Sequence, residues 1–103
     1  VAIGFAAGAN YQGTNAVAIG YNSGANDQGA NSVAIGARAG VYQGANSIVI
    51  NATGSNLNGT TGTFQVAPIA AGTGPEILFY NTATSEISRS STLDFIVSTD
   101  PQD

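Results

Sequence analysis

The chain has 103 residues, a net charge of −4, eight charged side chains, no cysteine and no histidine. These absences exclude disulfides and thiolate metal sites, and they remove the side chain most used as a general base and metal ligand. Arg38 and Arg89 are the only cations, so no basic cluster exists to replace phosphate counterions or hold an anionic membrane, and no apolar run approaches the roughly 20 residues of a spanning helix.

The chain opens inside a pattern. Val1-Ala2-Ile3-Gly4 recurs as Val17-Ala18-Ile19-Gly20, as Val33-Ala34-Ile35-Gly36 and, degenerately, as Ile48-Val49-Ile50-Asn51, at spacings of 16, 16 and 15. Because the first residues are already a repeat unit, the sequence reads as a piece of a longer protein. Other columns repeat in step: Gln12, Gln28 and Gln43, each followed by Gly; Asn15, Asn31 and Asn46 before each apolar triplet; and the small residues Ala7, Ser23 and Ala39. Helix-pair repeats need roughly 33 residues, so this period suits one coil of a β-solenoid. Val-Ala-Ile is a short alternating strand that sends Val and Ile to one face. The glycine after it permits a turn at positive φ. Coils stacked about 4.8 Å apart align like residues, and aligned Asn and Gln are expected to form amide ladders.

Each coil offers two sizeable residues expected to face inward: Val1 and Ile3, Val17 and Ile19, Val33 and Ile35, Ile48 and Ile50. That is little apolar surface against the entropy of ordering a whole coil. The expected remedy is a core shared between copies of the chain.

The units Asn31-Ser32-Val33-Ala34-Ile35-Gly36-Ala37-Arg38-Ala39-Gly40 and Asn15-Ala16-Val17-Ala18-Ile19-Gly20 resemble the head repeat of trimeric autotransporter adhesins, the YadA-like head, which also occurs in viral tail-fibre and virion-surface proteins. The resemblance covers residues 1–51. It implies an all-β fold, a trimeric left-handed parallel β-roll of 16-residue coils, with the eight Val and Ile residues at the trimer core. It further implies a homotrimer as partner, an extracellular location on a virion or cell surface, and a host glycan or protein as possible receptor. The coils are longer than the family's usual unit, and no heptad pattern of a coiled-coil stalk follows.

Residues 52–75 read as a connector rich in Gly, Asn and Thr, with one alternating strand at Thr63-Phe64-Gln65-Val66. A composition shift near Gly72–Pro75 marks a boundary, because five of the six acids lie beyond it. Residues 76–103 are expected to hold a β-hairpin around the polar turn after Tyr80, then a final strand at Leu93, Phe95 and Val97 and a terminal Asp100-Pro101-Gln102-Asp103. This hairpin resembles segments that follow such repeats in viral fibres, which favours a viral fibre over a bacterial adhesin.

Phe5, Tyr11, Tyr21, Asp27 and Tyr42 fall in variable columns and are candidate surface contacts, although packing across the trimer or over neighbouring coils is the commoner reason for such residues. Glu76 and Glu86 flank the hairpin turn, but a hairpin edge is not the cleft that glycoside hydrolysis requires. Asp27 stands alone, so no calcium-binding array is present. Asn51-Ala52-Thr53 and Asn58-Gly59-Thr60 match the glycosylation pattern, which chance supplies readily in an Asn-rich chain. The threonines at Thr60, Thr61 and Thr63 lie outside the repeat, against a solitary ice-binding solenoid. No catalytic, cofactor or metal residue is expected, and the chain reads as non-enzymatic. The expected function is attachment, or support of attachment, by a surface fibre; the alternative is a purely structural filament component without a receptor.

Overall fold

The computed structural model describes residues 1–91; the expected strand at Leu93, Phe95 and Val97 and the segment from Asp100 lie outside the described residues. The described chain is all β. Two compact units are formed, Val1–Ile69 and a second beginning at Ala70.

The first unit is a β-solenoid. Strands β1 (Ala2–Ile3), β2 (Val17–Ile19), β4 (Val33–Ile35), β6 (Ile48–Asn51) and β8 (Phe64–Ala67) form one five-stranded sheet. Every pairing in it is parallel, through Ala2↔Ala18, Ala18↔Ala34, Ala34↔Val49 and Val49↔Gln65. Strands β3 (Asp27–Gln28), β5 (Ala39–Gln43) and β7 (Leu57–Gly59) form a second parallel sheet, which a bridge from Gln12 to Gln28 continues towards the first coil. Both sheets continue past Asn51: the segment read from the sequence as a connector contributes β7 and β8.

The interior of the roll is narrow, and this corrects the expected direction of the repeat. The middle residue of each triplet points in: Ala18, Ala34 and Val49 are fully buried, while Ile19, Ile35 and Ile50 remain 36–39% exposed. An ideal Cβ placed on Gly24 or Gly40 would lie 3.1 Å from the Cβ of Ala18 or Ala34. The space between the sheets therefore fits small side chains, Ala18 and Ala34 close to Gly24 and Gly40, and widens enough in the next coil to bury Val49 beside Leu57. Val and Ile still share one face, as alternation requires, but it is the outer face of the chain's own coil. Val1 and Ile3 lie there too, more exposed still.

Neutral polar groups fill the rest of the interior. The Gln12, Gln28 and Gln43 side-chain amides donate to the carbonyls of Val1, Val17 and Val33, at 2.7, 2.7 and 2.9 Å. Each glutamine thus ties its strand to the residue that opens its own coil. Gln28 also donates to Gln43 Oε1 at 3.1 Å, one rung of the expected ladder. Ser32, Ser47 and Thr63 hydroxyls donate to the carbonyls of Gly29, Gly44 and Thr60, closing the same turn in three coils. A buried polar group without a partner would cost on the order of 1–3 kcal/mol, so these columns keep their residue types for a physical reason.

Two further columns follow from backbone geometry. Asn15, Asn31 and Asn46 adopt φ of 60°, 56° and 56°, a region that Asn tolerates better than most residues. Their amides form an exposed ladder, Asn15 to Asn31 and Asn31 to Asn46, both at 3.3 Å. Gly13 and Gly29 sit where backbone of neighbouring coils approaches closely. A Cβ on either would lie 2.5 or 2.4 Å from the backbone nitrogen of Ala30 or Ala45 in the next coil.

The last coil changes character. Gln65 takes the inward position held elsewhere by Ala or Val, and its amide donates to the Asn58 carbonyl while accepting from Thr60 N–H and Thr63 Oγ1. The apolar column thereby ends in a satisfied polar residue, as terminal repeats of solenoids require.

In the second unit, β9 (Ile77–Asn81) and β10 (Glu86–Ser90) form an antiparallel hairpin. Asn81 Oδ1 accepts the Ala83 and Thr84 N–H groups, and Ser85 at φ 62° donates its N–H to the Asn81 carbonyl. This side-chain-capped turn is the polar turn expected from the sequence.

Candidate interaction surfaces

The outer face of the five-stranded sheet carries two apolar columns. One runs Val1, Val17, Val33, Ile48 and Phe64; the other runs Ile3, Ile19, Ile35, Ile50 and Val66. Val17 and Val33 are half-buried and the other eight are exposed. Five strands at about 4.8 Å make this face roughly 20 Å tall. It is continuous, uncharged and without a break. All eight residues assigned from the sequence to a shared core lie on it, joined by Phe64 and Val66.

At the end of these strands the chain turns through Gly4, Gly20 or Gly36, and the next residues form a second feature. Phe5 and Tyr21 stack across neighbouring coils, with ring centroids 5.7 Å apart and planes at 12°. The Arg38 guanidinium covers the other face of the run, 5.6 Å from the Tyr21 centroid. Phe5 is 76% and Tyr21 46% exposed. Tyr21 is covered by both Phe5 and Arg38, whereas Phe5 remains largely exposed. Arg38 was not singled out in the sequence reading; as the one cation in residues 1–69, one position after the aromatic column, it carried a usable signal.

Tyr11, Asp27 and Tyr42 form a separate exposed column on the outer side of the second sheet, with Asp27 and Tyr42 in register. In the next coil Asn58 follows them, and its Oδ1 accepts the Tyr42 N–H at 3.2 Å. The five candidate contact residues therefore divide into two groups on different sides of the roll.

The remaining candidates do not assemble. Glu86 pairs in register with Asn81, whereas Glu76 precedes β9 at the far end of the hairpin and forms an ion pair with Arg89. Five residues of strand, roughly 17 Å at about 3.3 Å each, separate the two carboxylates along the hairpin, beyond the spacing of either glycosidase geometry. Asn51 is buried, and its amide donates to the carbonyls of Ala37 and Ser55 while Oδ1 accepts from Thr53. Its nitrogen is engaged inside the fold; Asn58 is exposed. On the hairpin, Leu78, Tyr80 and Ile87 are exposed.

The family model described as the YadA head domain repeat matches the chain in two copies, over residues 1–23 and 12–39. No curated protein matches the chain, and no solved structure does. The head repeat recognised in the sequence is thus present in the N-terminal coils, and its columns are those that build the roll.

Proposed function

We propose that this chain is a non-enzymatic segment of a homotrimeric surface fibre that mediates or supports attachment to a host. The observation that carries the reading is the apolar face of the five-stranded sheet. The chain's own interior is already filled by Ala, Ser and Gln, so this face serves no intramolecular core. Monomeric soluble proteins rarely leave so long an apolar surface open. The matched head repeat supplies the stoichiometry: heads of this family are trimeric, adhesive and displayed at the cell surface. Val1, Ile3, Val17, Ile19, Val33, Ile35, Ile48 and Ile50 then meet their counterparts around a threefold axis.

With that face turned inward, the Tyr11–Asp27–Tyr42 column points away from the axis and is the surface offered to a receptor, a host glycan or protein. Two aromatic rings beside a carboxylate combine apolar contact with hydrogen-bond acceptance. The β-hairpin that follows the roll, in place of a heptad stalk, favours a viral fibre over a bacterial adhesin. The test is binding of labelled trimer to host cells and glycan arrays. A Tyr11→Ala/Asp27→Ala/Tyr42→Ala variant that remains trimeric is expected to lose binding. If wild type fails to bind any cell or glycan, the segment is a spacer and the receptor reading is wrong.

A further inference from the structure

The two lateral edges of the roll differ, and their difference bears on how copies meet. Every strand of the five-stranded sheet runs in the same direction. One edge therefore gathers all strand ends and the other all strand starts. The end edge carries the Phe5–Tyr21–Arg38 stack. The start edge carries Thr14, Asn15, Ala30, Asn31, Ala45 and Asn46, short side chains of which the asparagines are linked in an exposed amide ladder.

A closed ring of identical subunits about an axis along the roll uses heterologous contacts, in which one patch meets a different patch on the next copy. With the apolar sheet face turned to the axis, the end edge of each copy must approach the start edge of its neighbour. We propose that the Phe5–Tyr21–Arg38 ridge is an inter-copy contact that seats against the small-residue, amide-laddered edge of the adjacent protomer. This rests on the trimeric reading above and assigns which edges pair within it.

The chemistry of the ridge fits that occupant. Stacking on a carbohydrate needs a free ring face, and both faces of Tyr21 are taken, by Phe5 and by Arg38. Ring edges carry partial positive charge, and together with a guanidinium they suit a surface rich in amide oxygens. Side chains as short as Thr, Ala and Asn leave room for projecting rings. The ridge also adjoins the apolar face directly, one glycine beyond Ile3 and Ile19, so contact would continue around the corner without a polar gap. Phe5 and Tyr21 are thereby removed from the receptor surface, which leaves it to the Tyr11–Asp27–Tyr42 column.

The absence of cysteine makes the test clean. Tyr21→Cys is combined with Thr14→Cys, and separately with Ala30→Cys to allow for one coil of rise. Each protein is treated with a short bis-maleimide after light scattering. A link formed within one chain leaves the mass of a single chain, so it cannot be mistaken for a covalent trimer. The expected result is a covalent trimer from at least one pair and no cross-linking from any single variant. Dimers from Tyr21→Cys alone would mean that like edges meet, and would overturn the proposal. A trimer by scattering that yields no covalent product with either pair would overturn the edge assignment and leave the trimer standing. A folded monomer by scattering would overturn both.

Discussion

At the scale of single residues, the repeat is held by positions that tolerate almost no alternative. Gly29 is the clearest. A Cβ there would lie 2.4 Å from the Ala45 nitrogen, and backbone cannot move aside as a side-chain tip can. Gly29→Ala is expected to lower stability by about 1–3 kcal/mol, the usual cost of overpacking. Gly74→Ala, with nothing within 4 Å of its Cβ, should stay within about 0.5 kcal/mol of wild type. Thermal denaturation of both variants checks the contrast. Asn31 combines two demands, a φ of 56° and a place between Asn15 and Asn46 in the ladder. Asn31→Gly keeps the backbone conformation and loses the amide, so it should cost about 1 kcal/mol. Asn31→Ala loses both and should cost about 1 kcal/mol more; equal melting temperatures for the two would show that φ contributes nothing. For Asn51, whose amide is engaged inside the fold, expression through a secretory pathway should give no glycan at that site by peptide mass mapping.

At the scale of the coil, the direction of a strand is set by the width of the space it faces. Ala34→Leu places a large side chain where the Cβ of Ala34 already lies 3.1 Å from an ideal Cβ on Gly40, and should unfold the roll. Ile35→Ala should leave the coil intact and weaken only association, so its melting temperature should fall more steeply on dilution than that of wild type. If Ile35→Ala unfolds the roll as readily as Ala34→Leu, the inside and outside of the coil have been misassigned. This inversion also marks what was legible in the sequence. Period, the strands of the first sheet, the Gln and Asn ladders and the hairpin could be read, because each leaves a residue type at a fixed offset; the second sheet, Asp27–Gln28, Ala39–Gln43 and Leu57–Gly59, has no such apolar alternation and was not read. The facing of Val-Ala-Ile could not be read either. Alternation says that Val and Ile share a face, but which face is inside depends on the opposite wall of the coil, where Gly24 and Gly40 lie close to Ala18 and Ala34. The last coil was harder still: Phe64-Gln65-Val66 keeps the alternation but replaces the inward Ala with a capping Gln. The Phe5–Tyr21–Arg38 stack lay half in view, since the aromatic column repeats at the coil spacing while Arg38 sits one residue off it.

At the scale of the molecule, one feature governs the rest: a roll whose narrow interior is filled within a single chain, with Gln28 Oε1 the one buried side-chain atom left unpaired among the described residues, and whose apolar columns lie outside it. Burying one exposed Val or Ile completely contributes about 1.5–3 kcal/mol, and both columns run through all five strands, so association gains from every coil at once. Ile19→Glu/Ile35→Glu should abolish association, since each copy would then bring two unpaired carboxylates to the axis, while circular dichroism should still report a β-roll. The most direct measurement is the molar mass of the wild-type segment in solution, by light scattering after size exclusion. The homotrimer with a shared core predicts three times the chain mass of 10.2 kDa, stable on dilution. A folded monomer of 10.2 kDa would contradict it, and would mean that the apolar face is tolerated in water.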